Sequence, residues 1–138
     1  MNVAFFLTPK SEVVCLPAKA TMRQALEKME IYRYGAIPLV DDEGRYAGTL
    51  TEGDLLWRLK HSTRPTWIEE AEHTRIADIQ RRLDNKAVHI EAEMEDLIRL
   101  AIDQNFVPVV DDREVFVGIV RRKSIIEYCV SHMVTAAG

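Results

Sequence analysis

Three groups of residues in this 138-residue chain have types and spacings that could do chemistry. Thr51 stands three positions before Asp54, the spacing of a capping box, in which a hydroxyl and an acid satisfy the first free N–H groups of a helix. The same pair could face a ligand, because helix N-termini favour anions and a carboxylate presents two acceptor oxygens. Arg121, Arg122 and Lys123 form a basic run opening another helical stretch, where dipole and charge together suit a phosphate. A solvated basic turn is the alternative there. The third group is scattered: Cys15 and Cys129 lie far apart with no CxxC, and His61, His73, His89 and His132 show neither i, i+4 pairing nor an HExxH arrangement. Buried free thiols and no metal site are expected. No nucleophile-base-orienter set, Gly-rich phosphate loop or pair of acids with opposed environments can be assembled, so an enzyme is not expected.

The elements that hold these residues must come from a packed core, for which the composition suffices: 47% hydrophobic and 29% charged residues. Eighteen Lys and Arg against twenty-two Asp and Glu give a formal net charge of −4, too acidic to supply a general field for duplex nucleic acid. No apolar run approaches the roughly 20 residues that cross a bilayer, and the opening MNVAFFLTPK lacks the basic start and cleavage site of a secretory signal. Neither nucleic acid nor a membrane is an expected partner, and the expected location is cytoplasmic.

The chain repeats itself, which decides architecture before any local reading does. AIPLVDDEGRYAGTL, residues 36–50, lies without a gap over FVPVVDDREVFVGIV, residues 106–120, at an offset of 70. Pro38 matches Pro108, Asp41 and Asp42 match Asp111 and Asp112, and Gly48 matches Gly118. In each copy two short β-branched or apolar runs flank turn residues, which predicts an antiparallel hairpin: 36–40 with 46–50, and 107–110 with 115–120. Met22, Ala25, Leu26 and Met29 recur at helical spacing before the first hairpin, after the N-cap candidate Thr21; Met94, Leu97, Ile98, Ala101 and Ile102 do so before the second. The methionines are read as core packing. Short strands are predicted at 13–16 and 87–90, and helices after the hairpins at 52–60 and 122–133.

The predicted unit is therefore strand, helix, strand, strand, helix, twice over, an α/β fold of the α+β kind. Residues 1–62 form the first repeat, 63–83 a connector with a linking helix at 76–83, and 84–138 the second repeat. A unit of about sixty residues buries only about 60% of its unfolded surface, so two copies packed together are the stable arrangement.

These residues resemble a pair of CBS domains, the tandem arrangement called a Bateman module, over nearly the whole chain. The resemblance is carried by Tyr34-Gly35-Ala36-Ile37-Pro38, by the aspartates after that strand, and by Gly48-Thr49-Leu50-Thr51-Glu52-Gly53-Asp54. The short format is similar to small stand-alone bacterial CBS proteins, among which are receptors for cyclic di-AMP. The resemblance implies two repeats packed about a pseudo-twofold axis through their sheets, with an adenine nucleotide (AMP, ADP, ATP or cyclic di-AMP) bound in the cleft between them as a regulatory ligand, and no other cofactor. It implies that Thr49, Thr51, Gly53 and Asp54 are joined by Lys86, Ala87, Asn105, Phe106 and Val107, with Asp54 on the ribose hydroxyls. A second pocket would take Arg121, Arg122 and Lys123 with Ser11, Tyr34, Gly35 and Ala36. The second copy departs from the pattern: Arg121 and Ser124 stand where the first has Thr51 and Asp54, so its ribose carboxylate is missing. The resemblance also implies a disc-shaped homodimer through the helices that follow the hairpins, which would cover Leu56 and Trp57, and an unidentified regulated protein that senses ligand occupancy. The competing expectation is a dimerisation or protein-interaction module that needs no ligand.

Overall fold

In the computed structural model, which describes residues 1–137, the chain is a mixed α/β fold with two sheets. The order is β1 (Thr8–Pro9), β2 (Leu16–Pro17), α1 (Met22–Tyr32), β3 (Ala36–Val40), β4 (Tyr46–Thr51), α2 (Glu52–Lys60), α3 (Trp67–His73), β5 (Val88–His89), α4 (Glu95–Ile98), β6 (Phe106–Val110), β7 (Phe116–Arg121) and α5 (Arg122–Ala137). Short 3-10 turns occur at Val3–Phe6, Lys10–Glu12, Ile76–Asp78 and Leu100–Ile102.

Two compact units result, and they differ from the linear division into 1–62, 63–83 and 84–138. One runs Val14–Asp84; the other joins Met1–Val13 to the chain from Asn85 onward. The reason is strand pairing. β1 adds to β7 antiparallel, Thr8 opposite Ile119 and Pro9 opposite Gly118, which carries the first residues into the second sheet, ordered β1-β7-β6-β5. Pro9 lacks an N–H, and an edge strand is where a sheet tolerates that.

Both predicted hairpins form, and they match each other residue for residue. Ala36 faces Thr51 and Leu39 faces Gly48 in one; Phe106 faces Arg121 and Val109 faces Gly118 in the other, each with a bulge one step later. Both turns are closed by the duplicated aspartate. Asp41 Oδ1 accepts the N–H groups of Glu43 and Arg45, each at 2.9 Å, and Asp111 Oδ1 those of Arg113 and Val115 at 2.8 and 3.0 Å. β2 and β5 lie parallel to β3 and β6. The core of one unit gathers Leu16, Met22, Ala25, Met29, Ile37, Leu50, Leu55 and Ile76; that of the other gathers Val3, Met94, Leu97, Val107, Val120, Ile125 and Tyr128. The methionines are core residues, as read.

Four local expectations change. The outer strands are shorter than 13–16 and 87–90, and the second hairpin's strands begin at Phe106 and Phe116. The helix of the second copy breaks into α4 and a 3-10 turn: its N-cap position is Met94, which has no oxygen to offer, whereas Thr21 and Gln24 close a full capping box on α1. The linking helix at 76–83 reduces to the turn Ile76–Asp78, whose Ile76 and Ile79 are buried, while Leu83 stays 43% exposed. Neither Cys15 nor Cys129 is in a disulfide, and both are only half-buried, not buried as expected.

The supposed connector instead contains α3, capped by Thr66 Oγ1 accepting the Glu69 N–H at 3.1 Å. Its Glu70 is buried and accepts from Arg58 Nε at 3.0 Å and Arg64 Nε at 3.1 Å. The Arg58 hydrogen bond foremost holds the Glu70 carboxyl below the usual carboxylate range, against the opposing effect of burial. The folded pKa lies below the unfolded one, so this stabilisation is complete above about pH 4.5 and is lost as pH falls through the folded value. Acid titration of the melting temperature is expected to fall more steeply below pH 4.5 in the wild type than in Glu70→Gln. Equal slopes would show that this acid carries no such linkage.

Candidate functional site

The first hairpin ends by feeding directly into α2, and this junction positions Thr49, Thr51, Gly53 and Asp54. Thr51 is extended at φ −109° and ψ 159°, the backbone shape of an N-cap. Its Oγ1 accepts the Asp54 N–H at 3.2 Å, and Asp54 Oδ2 accepts the Thr51 N–H at 3.0 Å. The capping box is thus real. A further contact was invisible in the spacing: Asp54 Oδ1 accepts the backbone N–H of Arg82 at 3.0 Å. Asp54 is only 5% exposed, with each oxygen engaged once. A carboxylate has about four lone-pair positions, so two remain for a ligand.

The neighbours of that carboxylate have distinct roles. Thr49 is buried, and its Oγ1 lies 2.6 Å from the Tyr46 hydroxyl. Residues three apart on a regular strand face opposite ways; the bulge at Ala47 brings this pair to one side. Burial, opposed by the Thr49 hydrogen bond and by Arg81, pushes the Tyr46 hydroxyl up to about 12. Thr49 therefore serves Tyr46 first. At Gly53 an added Cβ would meet only Thr51 Oγ1, at 3.7 Å, so the space beside the first turn of α2 is open. Tyr34, Gly35 and Ala36 lie in the turn from α1 into β3, where the Gly35 carbonyl accepts the Glu52 N–H at 2.9 Å and ties that turn to the start of α2. Tyr34 stacks on Tyr32, ring centroids 6.0 Å apart.

All seven of these residues belong to the unit Val14–Asp84, and the other nine predicted site residues belong to the other unit. There Arg122 repeats the role of Glu52: its N–H bonds the Asn105 carbonyl at 3.2 Å. Its Nε also donates to the Gln104 carbonyl at 3.0 Å, so one of the three cations stitches the turn. Arg121 and Lys123 are exposed, as are Ser11, Lys86 and Asn105. Phe106 and Val107 are buried core residues and can offer a ligand little besides backbone, with Ala87 half-buried beside them. Gln104, which the sequence reading missed, clamps this region. It is buried, accepts the Lys86 N–H at 2.9 Å and donates to the carbonyls of Lys86 and Phe106 at 3.0 and 3.2 Å.

Also missed was a cavity of about 630 Å³ in the unit Val14–Asp84. Asp54, Trp57, Arg58 and His61 line one side, spaced i, i+3, i+4 and i+7 along one face of α2; Gln80, Arg81 and Arg82 line it as well. The α2 face was legible as a helical stripe, but the expected linking helix gave the basic pair no reason to fold back on Asp54. No group of His, Cys, Asp and Glu that could hold a metal occurs among the described residues. Among them, too, no helix is long and apolar enough to cross a membrane.

A family model described as CBS domain matches the chain twice, at residues 6–61 and 76–131. No curated protein matches it. Among solved structures, a CBS domain protein from Streptococcus pneumoniae is 25% identical with a TM-score of 0.78, covering 94% of this chain and 86% of that one. CbpB of Listeria monocytogenes, in complex with c-di-AMP, is 20% identical with a TM-score of 0.79, covering 96% and 98%. CBSX2 in complex with AMP is 22% identical with a TM-score of 0.75, again covering 96% and 98%. These likenesses are likenesses of fold.

Proposed function

The chain belongs to the CBS domain family, with two copies of the domain, and from that premise we propose that it is a regulatory module that binds an adenine nucleotide and signals occupancy to a partner protein. The observation that carries the reading is Asp54: a nearly buried carboxylate, fixed by two backbone N–H groups, lining a cavity with lone pairs to spare. Fixed acceptors of this kind suit the paired hydroxyls of a ribose, since the cost of orienting them is met by the fold before the ligand arrives. Fold relatives that hold c-di-AMP and AMP support the same class of ligand. Thr51 and Gly53 line up beside Asp54 in this proposal. The exposed Arg121 and Lys123 of the other unit, with Arg122, are a second, basic set of nucleotide contacts, and Lys86, Ala87, Asn105, Phe106 and Val107 contribute chiefly backbone.

AMP, ADP, ATP or c-di-AMP at millimolar concentration is expected to raise the melting temperature of the wild type, because a ligand that binds only the folded state stabilises it by mass action. Absence of both a thermal shift and a calorimetric heat with all four would end the proposal.

A second reading, a protein-interaction or dimerisation module without a small molecule, is favoured by apolar side chains left in water. Leu56 and Trp57 on α2, and Ile126, Val130 and Met133 on α5, are all exposed. It predicts a sedimentation profile and a captured partner that are the same with and without nucleotide.

A further inference from the structure

We propose that the unit carrying Asp54 also carries its own phosphate subsite, formed by Arg81 and Arg82 against the Trp57–His61 face of α2. This deepens the nucleotide reading and rests on it: the ligand taken by this unit is a phosphorylated nucleoside, and the phosphate is held within the same unit as the sugar.

The charges in the cavity wall lead to this assignment. Of its three arginines, Arg58 is already committed. Its Nε bonds buried Glu70 at 3.0 Å and its Nη1 donates to the Asp78 carbonyl at 2.9 Å. Arg81 has no carboxylate on it among the described residues; its guanidinium lies across Gly48 and donates to the Ala47 carbonyl at 3.2 Å. Arg82 is held through its backbone, on Asp54, and its exposed side chain is left for other use. The wall's one carboxylate is Asp54. One guanidinium with no bond of its own among the described residues, Arg82, another held by a single backbone carbonyl, Arg81, and one acid, in a volume of about 630 Å³, leave a cationic hollow of a size that takes small ligands.

The other walls sort the ligand further. Trp57, half-exposed, provides a flat face on which a base can stack, and the His61 ring provides a further polar nitrogen one turn along. A planar base, a hydroxyl-bearing sugar and an anionic tail are the three chemistries these walls complement. The guanidinium fork matches phosphate oxygens two at a time, which a lysine ammonium does not. Because the Arg82 amide is pinned to Asp54, its guanidinium is anchored close to the sugar acceptor. That places the anion next to the ribose.

Calorimetric titration of adenosine, AMP, ATP and c-di-AMP into the wild type, Arg82→Gln and the double variant Arg81→Gln/Arg82→Gln tests the assignment. The wild type is expected to bind at least one phosphorylated ligand about tenfold or more tightly than adenosine, as charge-assisted bonds exceed neutral ones. Arg82→Gln should lose part of that preference and the double variant nearly all of it, with adenosine affinity unchanged. Arg82→Lys should recover part, and the salt dependence of binding should flatten in the double variant. Arg82→Gln alters a side chain outside the fold's contacts, so an unchanged urea midpoint certifies it as folded. If phosphorylated ligands bind wild type and double variant equally, this subsite is wrong while the nucleotide reading stands. If the wild type binds none of the four probes, the nucleotide reading falls and takes this one with it.

Discussion

Asp54→Ala is expected to weaken nucleotide binding by about a hundredfold or more and to cost stability at the same time. The two losses have separate origins. On the stability side, the Thr51 and Arg82 N–H groups lose their acceptor at 3.0 Å each. The Thr51 Oγ1 cap itself remains, and each of the two part-buried amides left without its acceptor costs about 1–2 kcal/mol, toward the lower end for such groups. A total of about 2–4 kcal/mol should appear as a lower urea midpoint with an unchanged slope. On the binding side, a sugar loses both oxygens that would receive its hydroxyls, and the pinned segment bearing Arg81 and Arg82 is released as well. Asp54→Asn separates the effects. The amide keeps one oxygen acceptor but turns an NH2 toward the second backbone N–H, so stability should fall less than with alanine while binding still falls steeply. If Asp54→Ala loses stability as stated yet binds AMP, ATP and c-di-AMP like the wild type, the residue is a cap and nothing more.

Gly118→Ala is expected to be the most damaging single methyl in the chain, and much worse than the same change at its repeat counterpart, Gly48. Both glycines follow their strand's bulge and have positive φ, 157° and 124°. What lies over them differs. A Cβ at Gly118 would collide with the backbone carbonyl of Thr8, whereas one at Gly48 would meet the mobile end of the Arg81 side chain. A flexible guanidinium can swing aside; a paired strand cannot. Gly48→Ala should cost about 1–2 kcal/mol, the strain of the backbone alone, and Gly118→Ala about 3 kcal/mol or more because β1 must leave β7. Denaturant unfolding measures the difference, and limited proteolysis should cut the segment before Val14 in Gly118→Ala first. Equal costs at the two sites would mean that β1 contributes little to its sheet.

The repeat is the reason so much of the fold was legible. Duplicated aspartates and glycines fixed the turns and the register, since each has one backbone task that its type alone performs: Asp41 and Asp111 accept two turn amides apiece, and Gly48 and Gly118 are closely approached. What was not legible depended on contacts between residues far apart in sequence. Ile76, Ile79 and Leu83 have helical spacing, but the first two are buried around a single 3-10 turn and the chain then runs out to bind Asp54. The polar stretch after α2 hid a helix because its buried acid, Glu70, looks like any surface glutamate until Arg58 and Arg64 are seen on it. At the site, the pair Thr51 and Asp54 was found from spacing, and so was the ambiguity between cap and ligand. The structure shows that the cap is formed; it also adds the Arg82 amide, which no local pattern encodes.

The pairing of Thr8 with Ile119 has a bearing on how the chain emerges from the ribosome. The unit Val14–Asp84 is contiguous and can close as soon as it clears the exit tunnel, while the segment before it waits, unpaired, until β7 has been synthesised on the order of a hundred residues later. In topological terms one unit is an insertion within the other, and its early closure shortens the effective loop that the late strand must span. Destabilising the inserted unit should therefore slow the maturation of a sheet to which it contributes no strand.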